Sequence, residues 1–215
     1  MAFETTVVSY PDRGKWGDKS WAGNTSGWLV KDFIESYGVT FLYDPMEGSG
    51  TSREVAADLG VRYAGTDIHS GYDLTSKAVR ARIVREFFAD EYPDGVFWHP
   101  PYWDIVKYSA HSSDLSRAST YPQFLAMARD ILLWLGSIVR PGGVLGVLTG
   151  DARIKSRSST AFITDDLLSA ENVRAAKLVK EIRVIKIQHN TKSGGDINYP
   201  IRLVHEYFTI LRKPQ

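Results

Sequence analysis

Short apolar runs alternate along this chain with segments whose apolar positions recur every three or four residues, and that alternation predicts a layered α/β domain. The runs at 41–44 (FLYD), 62–67 (RYAGTD), 95–98 (GVFW), 143–149 (GVLGVLT), 181–189 (EIRVIKIQH) and 203–211 (LVHEYFTIL) read as strands. The strongest helix covers 121–139, where Tyr121, Phe124, Leu125, Ala128, Ile131, Leu132, Leu135 and Ile138 fall on one stripe and Pro141-Gly142-Gly143 stops the chain. Helices are also predicted over 25–37, 51–59 and 76–91. This order implies a mostly parallel, doubly wound sheet with helices on both faces. The last two strands are joined by 190–200, which leaves no room for a crossover helix, so a terminal antiparallel hairpin is expected at the sheet edge. Three polar stretches, 104–120, 151–166 and 190–200, fit no regular period. Long loops in compact domains are commonly lids or binding loops, with structureless chain as the alternative.

Composition narrows the class. A chain of 215 residues with 43% hydrophobic and 24% charged residues is a globular protein, and one domain spanning 1–215 is expected. No apolar stretch approaches the ~18 residues needed to cross a bilayer, so no membrane association is expected. The first twenty residues carry no readable export or organelle signal, which makes the cytoplasm the expected compartment. The absence of cysteine excludes disulfides, thiolate zinc sites, iron–sulfur clusters and a Cys nucleophile, and no metal site is expected. Charge is unevenly spread: the first 150 residues hold 14 Lys/Arg against 18 Asp/Glu, the remainder 12 against 7. The basic end could face a polyanion, or these charges could simply be solvated.

Two segments carry chemistry. The run FLYD leads into Pro45-Met46-Glu47-Gly48-Ser49-Gly50-Thr51, and a helix follows at once. Glycines in a first strand-to-helix turn let a ligand approach the backbone and expose helix N-terminal N–H groups. There is no Gly-Lys-Ser/Thr ending for a nucleotide phosphate loop, and Arg53 stands where a dinucleotide motif wants Gly or Ala. Asp67, about 20 residues past the loop, is placed to accept from both hydroxyls of a ribose, and Asp44 could face a ligand ammonium. A turn-capping role remains open for both acids. The second segment, His99-Pro100-Pro101-Tyr102-Trp103, ends the strand GVFW. Adjacent prolines cannot continue a ladder; they fix a corner with unpaired carbonyls, a polar side chain before them and aromatic rings after them.

Taken in order, Asp44-Pro45-Met46-x-Gly48-Ser49-Gly50-Thr51, the later acid, and Pro100-Pro101-Tyr102-Trp103 resemble the S-adenosylmethionine-dependent DNA amino-methyltransferases, which make N6-methyladenine or N4-methylcytosine. Trp21-Ala22-Gly23-Asn24-Thr25-Ser26 looks like the family's methionine-side motif, and Leu203-Val204-His205-Glu206-Tyr207 resembles its last strand. The resemblance spans nearly the whole chain and implies a Rossmann-like class I methyltransferase fold with S-adenosyl-L-methionine as cofactor. Trp21, Asn24, Ser26, Asp44, Pro45, Met46, Gly48, Gly50, Thr51, Asp67 and Asp73 would bind the cofactor. His99, Pro100, Pro101 and Tyr102 would act on an exocyclic amino group of a base flipped from duplex DNA, most readily N6 of adenine. Trp103, Arg153, Lys155, Arg157 and Lys192 would contact DNA, and no separate target-recognition domain of the usual size is expected. His99 departs from the Asp, Asn or Ser common in the family; a neutral imidazole offers one acceptor nitrogen and an imidazolium none. An N4-cytosine enzyme, an RNA or protein amino-methyltransferase, and a catalytically silent cofactor binder are the alternatives. Oligomeric state stays open, a homodimer being one arrangement.

Overall fold

Strand residues alternate between two buried layers, so the sheet is covered on both faces. In β4 (Gly95–Trp98), Val96 and Trp98 pack into one layer and Phe97 into the other; in β5 (Val144–Thr149), Leu145 and Val147 oppose Val144 and Leu148. The computed structural model describes residues 3–154, 159–187, 203 and 205–215. The remaining strands are β1 (Val7–Ser9), β2 (Phe41–Asp44), β3 (Arg62–Gly65), β6 (Ala152–Ile154), β7 (Ser159–Ala161), β8 (Val179–Ile187) and β9 (His205–Arg212). The helices are α1 (Gly27–Tyr37), α2 (Thr51–Leu59), α3 (Lys77–Phe87), α4 (Tyr121–Ile138), α5 (Ile163–Leu167) and α6 (Ala170–Ala175).

Seven strands form one sheet in the order β1-β8-β9-β5-β4-β2-β3, and β9 alone runs antiparallel to its neighbours. Residues of α1 and α2 pack with Phe97, Phe208 and Ile210 on one face, and those of α3, α4, α5 and α6 fill the other. Gly146 is required in β5 because a Cβ there would lie 2.3 Å from the ring of Phe208. This is the mostly parallel, doubly wound architecture read from the hydrophobic pattern.

Several expectations change in detail. β8 and β9 do pair antiparallel, but not at the edge: β9 lies between β5 and β8, and β1 adds outside β8. β1 escapes the pattern because it has three residues and exposed side chains at both ends. Among the described residues of the stretch 151–166, β6 and β7 pair antiparallel and α5 begins at Ile163, so regular structure replaces the expected loop there. The helix expected over 76–91 runs only from Lys77 to Phe87. Within α3, Arg80 is buried; its Nε donates to the Leu74 carbonyl (2.6 Å) and its guanidinium pairs with Asp130 (2.6 Å).

One buried acid aligns the strands that carry the site. Asp94, just before β4, accepts from the Phe41 N–H (2.9 Å), the Thr40 N–H (3.0 Å) and Thr40 Oγ1 (2.6 Å), and it pairs with Arg140 (2.9 Å). It therefore ties the start of β2 to the start of β4, which run parallel with Leu42 opposite Gly95 and Tyr43 opposite Val96. Because the two strands start together and point the same way, the turns after them open at the same edge of the sheet.

Candidate cofactor and acceptor site

The turn after β2 is held by its own side chains. Asp44 is buried at the strand end, where Oδ1 accepts from the Met46 N–H (3.0 Å) and Oδ2 from Ser52 Oγ (2.5 Å). Burial pushes its carboxyl up to about 7 despite these hydrogen bonds. Gly48 takes φ +49°, and a Cβ there would meet the indole nitrogen of Trp21 at 3.0 Å. Asp67 Oδ2 accepts from the Gly48 N–H (3.1 Å), while Oδ1 caps the turn 68–70 through the His69 N–H (2.9 Å). The acid after the second strand is thus linked to the glycine loop.

From the opposite side, the segment before α1 lies across this loop. Asn24 donates from Nδ2 to the Asp18 carbonyl (2.9 Å), and its Oδ1 accepts from Thr51 Oγ1 (2.5 Å) and Ser49 Oγ (3.2 Å). The indole of Trp21 sits edge-on to His69, ring centroids 5.6 Å apart. Upstream, Trp16 Nε1 donates to Asp58 (2.7 Å) and Trp28 Nε1 to Asp12 (2.9 Å), fixing residues 12–16 to α2 and α1. The result is a cleft with about 890 Å³ of open space, the solvent at its mouth included. Trp21, Asn24, Asp44, Pro45, Met46, Gly48, Thr51, Asp67 and Asp73 line it together with His99 and Pro101.

A second cavity, with about 1030 Å³ of open space, lies beyond the corner and is lined by Pro100, Tyr102, Tyr10, Arg13, Lys186 and Glu206 among others. His99, Tyr108, Gly23 and Asn24 line both cavities and so stand where they meet. A Cβ on Gly23 would lie 2.1 Å from Tyr108 Oη, so glycine is what lets the loop after the corner reach the segment before α1. His99 Nε2 is 3.0 Å from Tyr102 Oη, which donates to Glu206 Oε1 (2.8 Å); Glu206 Oε2 pairs with Lys186 Nζ at 2.5 Å. Burial holds the His99 imidazole down to about 4, an effect the Glu206 charge only partly offsets, so the ring is neutral at neutral pH. Glu206 is itself held at about 2: burial alone would raise it, but the adjacent Lys186 ammonium outweighs that.

Three placements, those of Ser26, Gly50 and Trp103, differ from the sequence reading. Ser26 lines the second cavity rather than the first: it stands at the N-cap position of α1, and instead of capping the helix its Oγ donates to the Asp12 carbonyl (3.3 Å). Gly50 lines neither cavity, because it is the left-handed residue before α2 (φ +81°) and the side chain of Arg53 covers it. Trp103 also lines neither. It adopts φ +52°, uncommon for a bulky residue, which turns its ring onto Tyr121 (centroids 5.4 Å) and its N–H to the Ala118 carbonyl (3.1 Å). Arg153 lies in the β6–β7 hairpin, where it donates to Thr160 Oγ1 (2.6 Å), outside both cavities. Lys155, Arg157 and Lys192 lie outside the described residues. Lys186 is enclosed against Glu206.

Sequence reasoning missed Tyr108, Thr25 and the second-cavity role of Glu206. Tyr108 falls in a stretch with no period, and Thr25 was noticed only as part of a motif. Glu206 does leave a signal, as an acid inside the apolar strand LVHEYFTIL, and the hairpin register places it opposite Lys186.

No family model and no curated protein matches the chain. Solved structures do resemble it. A protein from Galdieria sulphuraria, provisionally described as a sarcosine dimethylglycine methyltransferase, superposes with a TM-score of 0.50 at 10% identity, covering 87% of this chain and 85% of that one. A 1,6-didemethyltoxoflavin-N1-methyltransferase from Burkholderia thailandensis gives 0.47 at 13% identity, over 91% and 80%. A Thermus thermophilus protein, TTHA0409, provisionally described as a DNA modification methylase, gives 0.42 at 21% identity; the alignment covers 57% of this chain and 46% of that one, so this chain spans about half its length. The fold is the Rossmann-like class I methyltransferase fold, the mostly parallel sheet having one antiparallel strand, β9, third from one end. No described helix is long and apolar enough to cross a membrane.

Proposed function

We propose that this protein binds S-adenosyl-L-methionine in the first cavity and methylates the exocyclic amino group of a nucleic-acid base held in the second, with DNA as the polymer and N6 of adenine as the favoured atom. The observation that carries this reading is the position of His99 and the two prolines, at the junction of a glycine-loop cleft and an aromatic-walled cavity.

Features of the first cavity fit the cofactor. Asp44 is a buried carboxyl without a cationic partner among the described residues, which an ammonium group would return to its ionised form. Thr25 lines the same cleft, and its buried Oγ1 has no hydrogen-bond partner among the described residues. Asp67 would accept from ribose hydroxyls, and Trp21 and Asn24 would close the methionine side. When bound, the cofactor supplies a methyl carbon activated by its sulfonium.

An exocyclic amine is a poor nucleophile because its lone pair is delocalised into the ring. His99 and the Pro100 carbonyl would each accept one of its N–H bonds, drawing the nitrogen toward tetrahedral geometry and stabilising the positive charge that develops. Because His99 is neutral, it has the required lone pair throughout the physiological range. Tyr10, Tyr102 and Tyr108 give the second cavity aromatic walls suited to a planar base. Arg153, Lys155, Arg157 and Lys192 would contribute to a basic approach surface for the polymer.

The test is transfer of tritium from methyl-labelled S-adenosylmethionine to duplex DNA, RNA and protein in parallel, followed by nucleoside analysis. Label in the N6-methyl-2′-deoxyadenosine of DNA is the expected result. Label in N4-methylcytosine, RNA or protein would reassign the acceptor, and cofactor binding without transfer to any of them would reduce the protein to a binder.

A further inference from the structure

The hydrogen-bond chain behind His99 runs through three elements and ends on a charge. Tyr102 has one hydroxyl proton, and two neighbours compete for it: the Glu206 carboxylate at 2.8 Å and the His99 Nε2 at 3.0 Å. Glu206 is ionised, with Lys186 on its other oxygen, and an ionised carboxylate can only accept. Were the Tyr102 proton turned toward His99, two oxygens would face each other at 2.8 Å with no hydrogen between them. The proton therefore lies toward Glu206, and the Tyr102 oxygen has only lone pairs left for the imidazole, so His99 Nε2 must be the donor. A neutral imidazole carries one ring proton, so Nδ1 keeps its lone pair. Nδ1 has no hydrogen-bond partner among the described residues and is not sealed off, since His99 lines both cavities.

We propose that Lys186, Glu206 and Tyr102 are positioning residues that hold the ring proton of His99 on Nε2 and so make Nδ1 the acceptor atom for the amino group. This assignment rests on the reading of His99 as the acceptor of an N–H bond from the substrate. It explains how histidine can stand where an oxygen acceptor is usual. An amide or carboxylate oxygen always offers a lone pair, whereas an imidazole does so at a given nitrogen only in one tautomer. The groups around the ring act in both directions. Glu206 from β9 favours a charged imidazole, Lys186 from β8 and Arg13 from the N-terminal segment oppose it, and Tyr102 and Tyr108 are uncharged. The pair Lys186 and Glu206 thus orders the Tyr102 hydroxyl without turning His99 into a donor at both nitrogens.

Long-range proton–nitrogen NMR on protein labelled at histidine nitrogen tests this without depending on activity. The chain has five histidines, and the His99 signals are identified by their loss in His99→Gln. In the wild type at pH 7, His99 should show a protonated Nε2 and an unprotonated Nδ1. A protonated Nδ1, or a cationic ring at that pH, would overturn the proposal. The double variant Glu206→Leu/Lys186→Met removes both buried charges together and frees the Tyr102 hydroxyl to donate to Nε2, so the Nδ1-protonated form should become populated. Tyr102→Phe, which leaves the ion pair intact, should also release the preference and serves if the double variant does not fold. An unchanged tautomer in both would reduce these residues to structural support. In the transfer assay, each folded variant should lose on the order of tenfold to a hundredfold in kcat, with cofactor affinity unchanged. If the wild type methylates nothing, the functional reading fails while the tautomer measurement still decides this one.

Discussion

The first cavity is walled mainly by consecutive residues of short connections, whereas the second is assembled from side chains far apart in the chain. Asp44 to Ser49 and Asp67 to His69 follow directly from adjacent strands, and their hydrogen bonds are local or join neighbouring turns. In the second cavity, Tyr102 and Glu206 are separated by 104 residues and Lys186 and Glu206 by 20. The first cavity offers backbone N–H groups and carboxylates whose chemistry the sheet edge sets. The second sets the chemistry of one imidazole through a buried ion pair. A binding function can thus rest on a local motif, while control of a protonation state needs charges brought together by the fold.

The sharpest way to separate the two regions is His99→Ala. Methyl transfer should fall by roughly 10²–10⁴-fold, the range for a positioned acid–base group, while calorimetry should find S-adenosylmethionine bound within about threefold of wild type. Comparable turnover in this variant would remove His99 from the chemistry. Asp67→Ala should give the converse result, weakening cofactor affinity by roughly 10–100-fold, as expected for lost hydrogen bonds to a charged group, with DNA affinity unchanged.

Acid pH should split the regions as well. Asp44 titrates near 7 in the free protein, so binding a cationic group requires its deprotonation, and cofactor affinity should drop as pH falls below 7, by at most about tenfold per unit. Proton release on binding, measured in buffers of different ionisation enthalpy, checks this. His99, held at about 4, should leave the turnover of cofactor-saturated enzyme flat through pH 6.5 and impose its loss only near pH 4. A loss centred near 6.5 would mean the ring is better solvated than its cavity implies. The smallest effect is expected from Gly48→Ala. With φ +49° and Trp21 3.0 Å away, the added methyl should cost about 1 kcal/mol, read as a few-fold loss of cofactor affinity with kcat unchanged.

Much of this was legible before any coordinates. Apolar runs such as FLYD and GVFW, all buried in the sheet, marked the strands, and the stripe from Tyr121 to Ile138 marked α4. The placements that failed share a cause. Trp103 was assigned by its neighbourhood to Tyr102, but one left-handed residue turns its ring toward α4. Ser26 and Gly50 belong to the right motifs yet point away from the first cavity, because a helix start fixes the direction of each. Arg80 and Lys186 find ionic partners on other elements, Asp130 of α4 and Glu206 of β9, which their own segments do not show.

By itself the sequence determined the α/β layering, the glycine loop with its two acids, and the rigid proline corner, because each depends on periodicity or on backbone limits within a few residues. Tertiary structure alone decided that the loop and the corner share an edge, that Tyr108 and Gly23 divide the space between them, and that Lys186, Glu206 and Tyr102 converge on His99. Those facts depend on strand order and register, which bring together groups distant in the chain in a medium of low dielectric, where their charges set one another's protonation.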